Sequence, residues 1–171
     1  MTEEKERHNT QTDQQQAQNK DTDNPTKDLF FKILNDGGAT CEELGDNRYG
    51  FIYKKEHFVV MIDDSVIIRI VDYNWHSVSR WDAETITKLQ SKINHFNMYA
   101  IPKMVYAYDD DDDTFNISTI VTVPLTKEIG ETNAYFVAML DRMMHAHEYI
   151  NDKPDDEDST EQKEEGGEEN D

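Results

Sequence analysis

The strongest constraint on folding is the contrast between the two ends of this chain and its middle. Residues 1–24 and 152–171 contain no Leu, Ile, Val, Phe, Tyr, Trp or Cys, whereas nearly every ten-residue stretch between them has three or more large apolar residues. A segment without such residues cannot bury enough apolar surface to offset the entropy of ordering its backbone. We therefore predict a disordered polar tail over 1–24, a single domain over 25–151, and a disordered acidic tail over 152–171.

The charge of the chain limits its partners. The formal net charge is −20 at pH 7, and the middle contributes twenty acidic and twelve basic residues. Binding DNA or RNA through phosphates requires clustered Lys and Arg, so we predict no nucleic-acid partner. The acidity is typical of a soluble protein, and mimicry of a nucleic acid or masking of a basic partner stays open.

Cysteine content and segment hydropathy predict where the protein acts. The chain has one cysteine, Cys41, which excludes an intrachain disulfide and a Cys-based metal site. The opening residues lack the apolar segment of a signal peptide, and no stretch approaches the length of a membrane span. We predict a cytoplasmic protein without membrane contact.

The apolar pattern of the middle predicts three helices and six strands. Helical spacing appears over about 25–36, 80–98 and 131–150, and the second helix presents one apolar face made of Ile86, Leu89, Ile93 and Phe96. The predicted strands are Thr40–Leu44, Gly50–Lys54, Phe58–Ile62, Val66–Tyr73, Lys103–Tyr108 and Phe115–Val123. Short polar turns join most of them, which predicts a largely antiparallel sheet packed with helices. The fold class is α+β, in the order α-β-β-β-β-α-β-β-α.

The same pattern locates one turn and one central strand. Glu56-His57 is interpreted as a tight turn between two strands. The run Ile67–Ile70 is apolar at three of its four positions, which indicates a central strand covered on both faces.

The run Asp109–Asp113 offers acids at the first, third and fifth positions of a calcium loop. Thr114 then stands where the loop needs Gly, and Ile120 stands where it needs a bidentate Glu. We interpret the run as a solvated hairpin loop, with weak nonspecific binding of divalent cations left open.

Motifs for catalysis and metal binding are missing from the sequence. His145 and His147 point in opposite directions on a helix and cannot share a metal, so His147 is interpreted as a partly buried core residue. No Ser lies in a G-x-S-x-G motif, and the charges of Glu42 and Glu43 should raise the pKa of Cys41 rather than activate it. The glycines form no phosphate-binding pattern. We predict no enzyme activity, no metal and no cofactor.

Aromatic and Met residues are the candidates for binding a partner. Trp75 and Trp81, together with Tyr73 and Tyr49, belong to residue types that dominate interface energetics. Met139, Met143 and Met144 could form an adaptable face on the third helix. Core packing is the alternative for both groups. The predicted partner-binding residues are Trp75, Trp81, Tyr73, Met139 and Met143.

One local motif adds a family resemblance. Ile93-Asn94-His95-Phe96-Asn97 closes the second helix just before a strand. With the order of elements, this segment resembles the I-N-x-aromatic-N helix end of YbjN-type domains, described as bacterial sensory-transduction regulators that share the fold of type III secretion chaperones. The resemblance covers about 27–150. Asn94 and Asn97 are interpreted as polar caps that end the helix and bond into the following turn.

The resemblance implies a small, acidic, non-enzymatic protein, often dimeric, that holds client segments on apolar patches. It carries over no catalytic residues. Two hypotheses follow: a chaperone-like or regulatory module that holds a peptide or partner protein, possibly as a homodimer, or an acidic decoy or immunity-type inhibitor that blocks a basic surface. Salt should weaken decoy binding steeply and apolar binding little.

Overall fold

The computed structural model describes residues 24–63 and 65–152. The predicted tails therefore lie outside the described residues, except for Asn24 and Asp152. The order of elements is the predicted one. The elements are α1 (Pro25–Asp36), β1 (Cys41–Gly45), β2 (Arg48–Tyr53), β3 (Glu56–Ile62), β4 (Ile67–Ser79), α2 (Ala83–Tyr99), β5 (Lys103–Asp109), β6 (Thr114–Pro124) and α3 (Thr132–Asn151).

The six strands form one sheet in the order β1-β2-β3-β4-β6-β5. β1 pairs antiparallel with β2, β2 with β3, and β5 with β6, because each pair is joined by a short turn. The predicted α+β class and antiparallel sheet are confirmed. β5 stands at the end of the strand order, so one of its two edges has no strand beside it within the described residues.

Two predicted boundaries are wrong for identifiable reasons. The turn between β2 and β3 is Lys54-Lys55, not Glu56-His57, since both lysines have positive φ angles (49° and 77°) and Tyr53 pairs with Glu56. Turns with two positive φ angles usually carry Asn or Gly, so the two lysines did not indicate a turn in the sequence. α2 begins at Ala83 rather than near 80, because the carboxylate of Asp82 accepts the N–H of Thr85 at 3.0 Å and caps the helix.

The central position of β4 in the strand order is confirmed, but its predicted coverage is wrong at Ile67–Ile70. Ile67 and Arg69 are exposed while Ile68 and Ile70 are buried, which is the alternation of a half-covered strand. β4 also continues to Ser79, beyond the predicted end at Tyr73.

The described residues pack as two compact units. The first combines the residues up to Ile70 with Thr122–Phe136, and the second combines Val71–Val121 with the residues from Val137 onward. The expectation that 25–151 folds as one domain stays a prediction.

The core of the first unit is aromatic. The ring of Phe30 on α1 lies 6.1 Å from that of Tyr49 and 5.9 Å from those of Phe51 and Phe136, measured between centroids. These distances are typical of favourable aromatic pairs. α1 is fixed at its start as predicted, because the side chain of Asn24 accepts the N–H groups of Thr26 and Lys27.

The core of the second unit lies between α2, α3 and the β5–β6 hairpin. The predicted face of α2 is confirmed, since all four of its residues are buried. That core contains Ile86, Leu89, Ile93, Phe96, Met104, Phe115, Ile117, Ala146 and Ile150.

We predict that removing both tails leaves the folded part intact. A fragment 24–152 keeps the Asn24 cap and the backbone oxygen of Asp152, which accepts from Lys92 at 2.7 Å. Its thermal midpoint should lie within about 5 °C of that of the full chain, on the order of 1 kcal/mol. Calorimetry of both proteins measures the difference, and a larger loss would mean that the tails make stabilising contacts.

Candidate functional site

An exposed aromatic cluster lies where β4 ends and the β5–β6 hairpin turns. The Trp81 side chain is 74% exposed, and the Arg80 guanidinium carbon lies 5.2 Å from the centre of its ring and 5.9 Å from that of Tyr108. Arg80 also pairs with Asp110 and lies 3.9 Å from a carboxylate oxygen of Asp113. These contacts hold two exposed rings beside the hairpin loop, and Trp, Tyr and Arg are the residue types most enriched at interface hot spots.

Tyr106 extends this cluster along β5. The rings of Tyr106 and Tyr108 lie 4.9 Å and 5.3 Å from that of the fully buried Phe115, so each rests on the core at one side while remaining 44% and 50% exposed. We call Arg80, Trp81, Tyr106 and Tyr108 the edge surface. The contacts with Phe115 fix the two Tyr rings on one side, and their other side faces solvent. A surface that is already ordered loses little entropy when it binds.

The Asp109–Asp113 loop borders the edge surface. A carboxylate oxygen of Asp109 accepts the N–H groups of Asp111 and Asp112 at 3.0 and 3.3 Å, which closes the turn. The Arg80 guanidinium pairs with Asp110 and lies near the carboxylate of Asp113. The predicted solvated hairpin loop is confirmed. No other described side chain pairs with the carboxylates of Asp111 and Asp112, which are both exposed.

Asn97 of the family-like motif closes part of the β5 edge. Its side-chain oxygen accepts the N–H of Met104 at 2.8 Å, and its amide nitrogen donates to the C=O of Met104 at 2.9 Å. Asn97 therefore bonds beyond the helix as expected, but into strand β5 rather than into the turn, and it does not cap α2, which ends at Tyr99. Asn94 is exposed and has no hydrogen bond to another described residue, so its predicted role is wrong.

We predict that Asn97→Ala destabilises the fold by about 1–3 kcal/mol, because it leaves the backbone N–H and C=O of the buried Met104 without partners. Chemical denaturation measures this loss. Asn94→Ala is the matched control on the same helix and should cost less than about 0.5 kcal/mol. Equal losses for the two variants would contradict the assigned role of Asn97.

The structure separates the five predicted partner-binding residues. Trp81 is in the edge surface and Tyr73 is 51% exposed on β4. Met139 and Met143 are only 4% and 0% exposed, so the prediction of an adaptable Met face is wrong for them, and they pack in the core. Tyr49, named with the same aromatic residues, is likewise buried in the first unit.

Trp75 packs over a buried polar pair in the second unit. Nε2 of His147 lies 2.7 Å from a carboxylate oxygen of Asp72, and the two side chains are only 14% and 3% exposed. The Trp75 ring stacks on the imidazole with centroids 4.0 Å apart, and its N–H donates to the Thr119 hydroxyl at 3.0 Å. The predicted core position of His147 is confirmed, and this contact gives Trp75 a structural role.

Asp72 was not predicted from the sequence. The one feature that could have identified it as a buried acid is its position inside an apolar run. Next to this pair, burial and then the neighbouring His147 lower the pKa of His76. The Asp72 carboxylate faces the His147 imidazole and is almost closed off from solvent.

The described part of the chain has few features of a catalytic or metal-binding site. Among residues 24–63 and 65–152, no group of three or more His, Cys, Asp and Glu side chains is placed to hold a metal ion. Burial, and then the charge of Glu43, raise the pKa of the Cys41 thiol, so the predicted direction is confirmed with burial as the larger cause. Over the same residues, no helix is long and apolar enough to cross a membrane.

Comparison with known proteins supports the fold. No protein-family model matches the chain, and no curated protein matches it in sequence. Among solved structures, it is similar to YbjN of E. coli, a proposed transcription regulator, with a TM-score of 0.51 and 13% sequence identity over 72% of this chain and 87% of that one. This similarity shows a YbjN-like fold, which confirms the predicted resemblance at the level of structure.

Proposed function

We propose that this chain is a non-enzymatic protein-binding module, chaperone-like or regulatory, which acts in the cytoplasm by holding a peptide or partner protein on an apolar surface. The observation that carries the proposal is the edge surface, where Trp81, Tyr106 and Tyr108 are exposed together beside an edge of β5 with which no other described strand pairs. Exposed aromatic groups of this kind lose contact with water when a partner covers them, and that burial drives association.

The fold supports a regulatory role in particular. The similar solved protein is described as a proposed transcription regulator, and a net charge of −20 disfavours direct contact with nucleic acid. Regulation through a partner protein satisfies both observations. A homodimer is a further form that such binding could take.

The acidic decoy is the second candidate, and the exposed carboxylates of Asp111 and Asp112 favour it. A decoy binds a basic surface mainly through charge, so raising the salt concentration from about 0.05 to 0.5 M should abolish its binding. Binding to the edge surface should weaken with the same change but not be abolished, because the contribution of apolar burial does not weaken with salt.

Quantitative affinity capture from the native cell tests the proposal. The tagged full chain should recover a protein partner, and Trp81→Ala should reduce the recovered amount at least fivefold. Ile52→Ala is the matched control, since Ile52 is also exposed, at 53%, but lies on β2. If both variants recover the same proteins as the unmodified chain, the edge surface is not the binding surface.

A further inference from the structure

The backbone of β5 has an open half and a closed half at its outer edge. Met104 directs its N–H and C=O to Asn97, so these groups point away from β6. In an antiparallel strand the direction alternates from residue to residue, so Tyr106 and Tyr108 also point their N–H and C=O groups outward. Asn97 covers the edge at Met104, and no other residue of 24–63 or 65–152 covers the edge from Tyr106 to Tyr108.

From this geometry we propose that the edge surface binds an extended segment of another protein, rich in Lys or Arg, by adding it as a strand beside Tyr106 and Tyr108. The inference rests on the proposed function and names the partner of the same site. Four backbone groups on Tyr106 and Tyr108 can pair with the added strand, and the rings of Trp81 and Tyr108 contact its side chains.

The acidic loop determines the charge of the segment. A strand paired with Tyr106 and Tyr108 cannot continue past Met104, because Asn97 occupies that position of the edge. It can continue only in the other direction, past the loop where Asp111 and Asp112 are exposed. A carboxylate without a cation beside it attracts Lys and Arg, and an exposed Trp ring such as that of Trp81 adds a cation–π contact.

A second copy of this chain fits the edge less well. Two-fold pairing around Ala107 would place the Asn97-covered Met104 of each copy opposite Asp110 of the other. The acidic loop would then face the C-terminal end of α2, whose carbonyl groups carry partial negative charge. The nearby Lys103 ammonium already donates to the C=O groups of Asn97 and Ala100, both at 2.7 Å. Each copy also carries a net charge of −20.

The first test uses a synthetic eight-residue peptide of alternating Val and Lys, binding to the full chain in buffer of physiological salt. Fluorescence anisotropy gives the dissociation constant, and hydrogen exchange reports whether the N–H groups of Tyr106 and Tyr108 become protected. We expect protection of both, and binding at least tenfold tighter than that of an alternating Val–Thr peptide.

Two matched pairs of variants separate backbone pairing from charge. Tyr106→Pro and Tyr106→Ala both lose the ring, but only Pro loses the outward N–H, and an edge strand tolerates Pro at such a position. We expect Tyr106→Pro to bind at least about tenfold more weakly than Tyr106→Ala. Tyr108→Pro and Tyr108→Ala repeat the comparison if the first pair unfolds.

Asp111→Asn with Asp112→Asn should weaken binding at least fivefold. Glu42→Gln with Glu43→Gln removes the same charge from exposed positions on β1 and should change binding less than twofold.

Each other outcome overturns the inference in a recognisable way. Equal weakening by both acid pairs identifies a nonspecific acidic decoy. Self-association that Tyr106→Pro abolishes identifies a second copy as the occupant and leaves the proposed function standing. If the Val–Thr peptide binds as tightly as the Val–Lys peptide, the partner need not be rich in Lys or Arg, and only that part of the inference is wrong. If the N–H groups of Tyr106 and Tyr108 are not protected, the partner does not add a strand to β5. The affinity capture with Trp81→Ala then tests the proposed function separately.

Discussion

His147→Ala is expected to lower the free energy of unfolding by about 3 kcal/mol, because it leaves a buried polar group without its hydrogen-bond partner. The substitution removes the hydrogen-bond partner of Asp72, whose carboxylate is only 3% exposed and cannot turn to water. It also removes the imidazole on which the Trp75 ring stacks. Urea denaturation near neutral pH, followed by far-ultraviolet circular dichroism, measures the change.

His145→Ala is the matched control for this substitution. His145 is on the same helix, its side chain is 65% exposed, and it pairs with Glu148 at the surface. We expect its loss to cost less than about 0.5 kcal/mol. The double variant Asp72→Asn with His147→Ala should be less destabilised than the two single losses combined, because it leaves no charge unpaired. Strict additivity would mean that the two side chains do not interact.

Leu89→Ala is expected to cost about 2–5 kcal/mol, since Leu89 is 6% exposed in the core of the second unit and Ala would leave a cavity. Lys88 is the neighbouring residue on the outer face of α2, where it pairs with Glu84 at the surface. Lys88→Ala should therefore cost less than about 0.5 kcal/mol. Chemical denaturation of both variants measures the difference, and equal costs would show that the assigned faces of α2 are wrong.

The sequence predicts α2 well because its apolar residues recur at strict helical spacing. All four residues of the predicted face are buried, and the order of elements around α2 is correct. Spacing also places Phe136, Leu140 and Met143 on one stripe of α3, and all three are buried. Met139 and Met143 were candidates for a surface because Met is common at adaptable interfaces, and the alternative of core packing is the correct one.

The candidate site is less predictable because it depends on contacts between residues distant in sequence. Trp81 belongs to a residue type common at interfaces, which made it a candidate, but nothing in the sequence places Arg80 between its ring and that of Tyr108. Asn97 was identified as a helix cap, whereas its double hydrogen bond to Met104 requires the strand beside it. The hydrogen bonds between Asn97 and Met104 also show which backbone groups of β5 point outward, and the sequence alone does not indicate this.

The central claim is that the edge surface contacts a partner protein, and photo-crosslinking in the native cell tests it most directly. A photoreactive amino acid replaces Trp81 in the full chain, and a second protein carries it at Ile52, which is also exposed but lies on β2. Mass spectrometry then identifies the crosslinked species. We expect a discrete protein adduct from position 81 and none from position 52. The same adducts from both positions, or no protein adduct from position 81, would contradict the account.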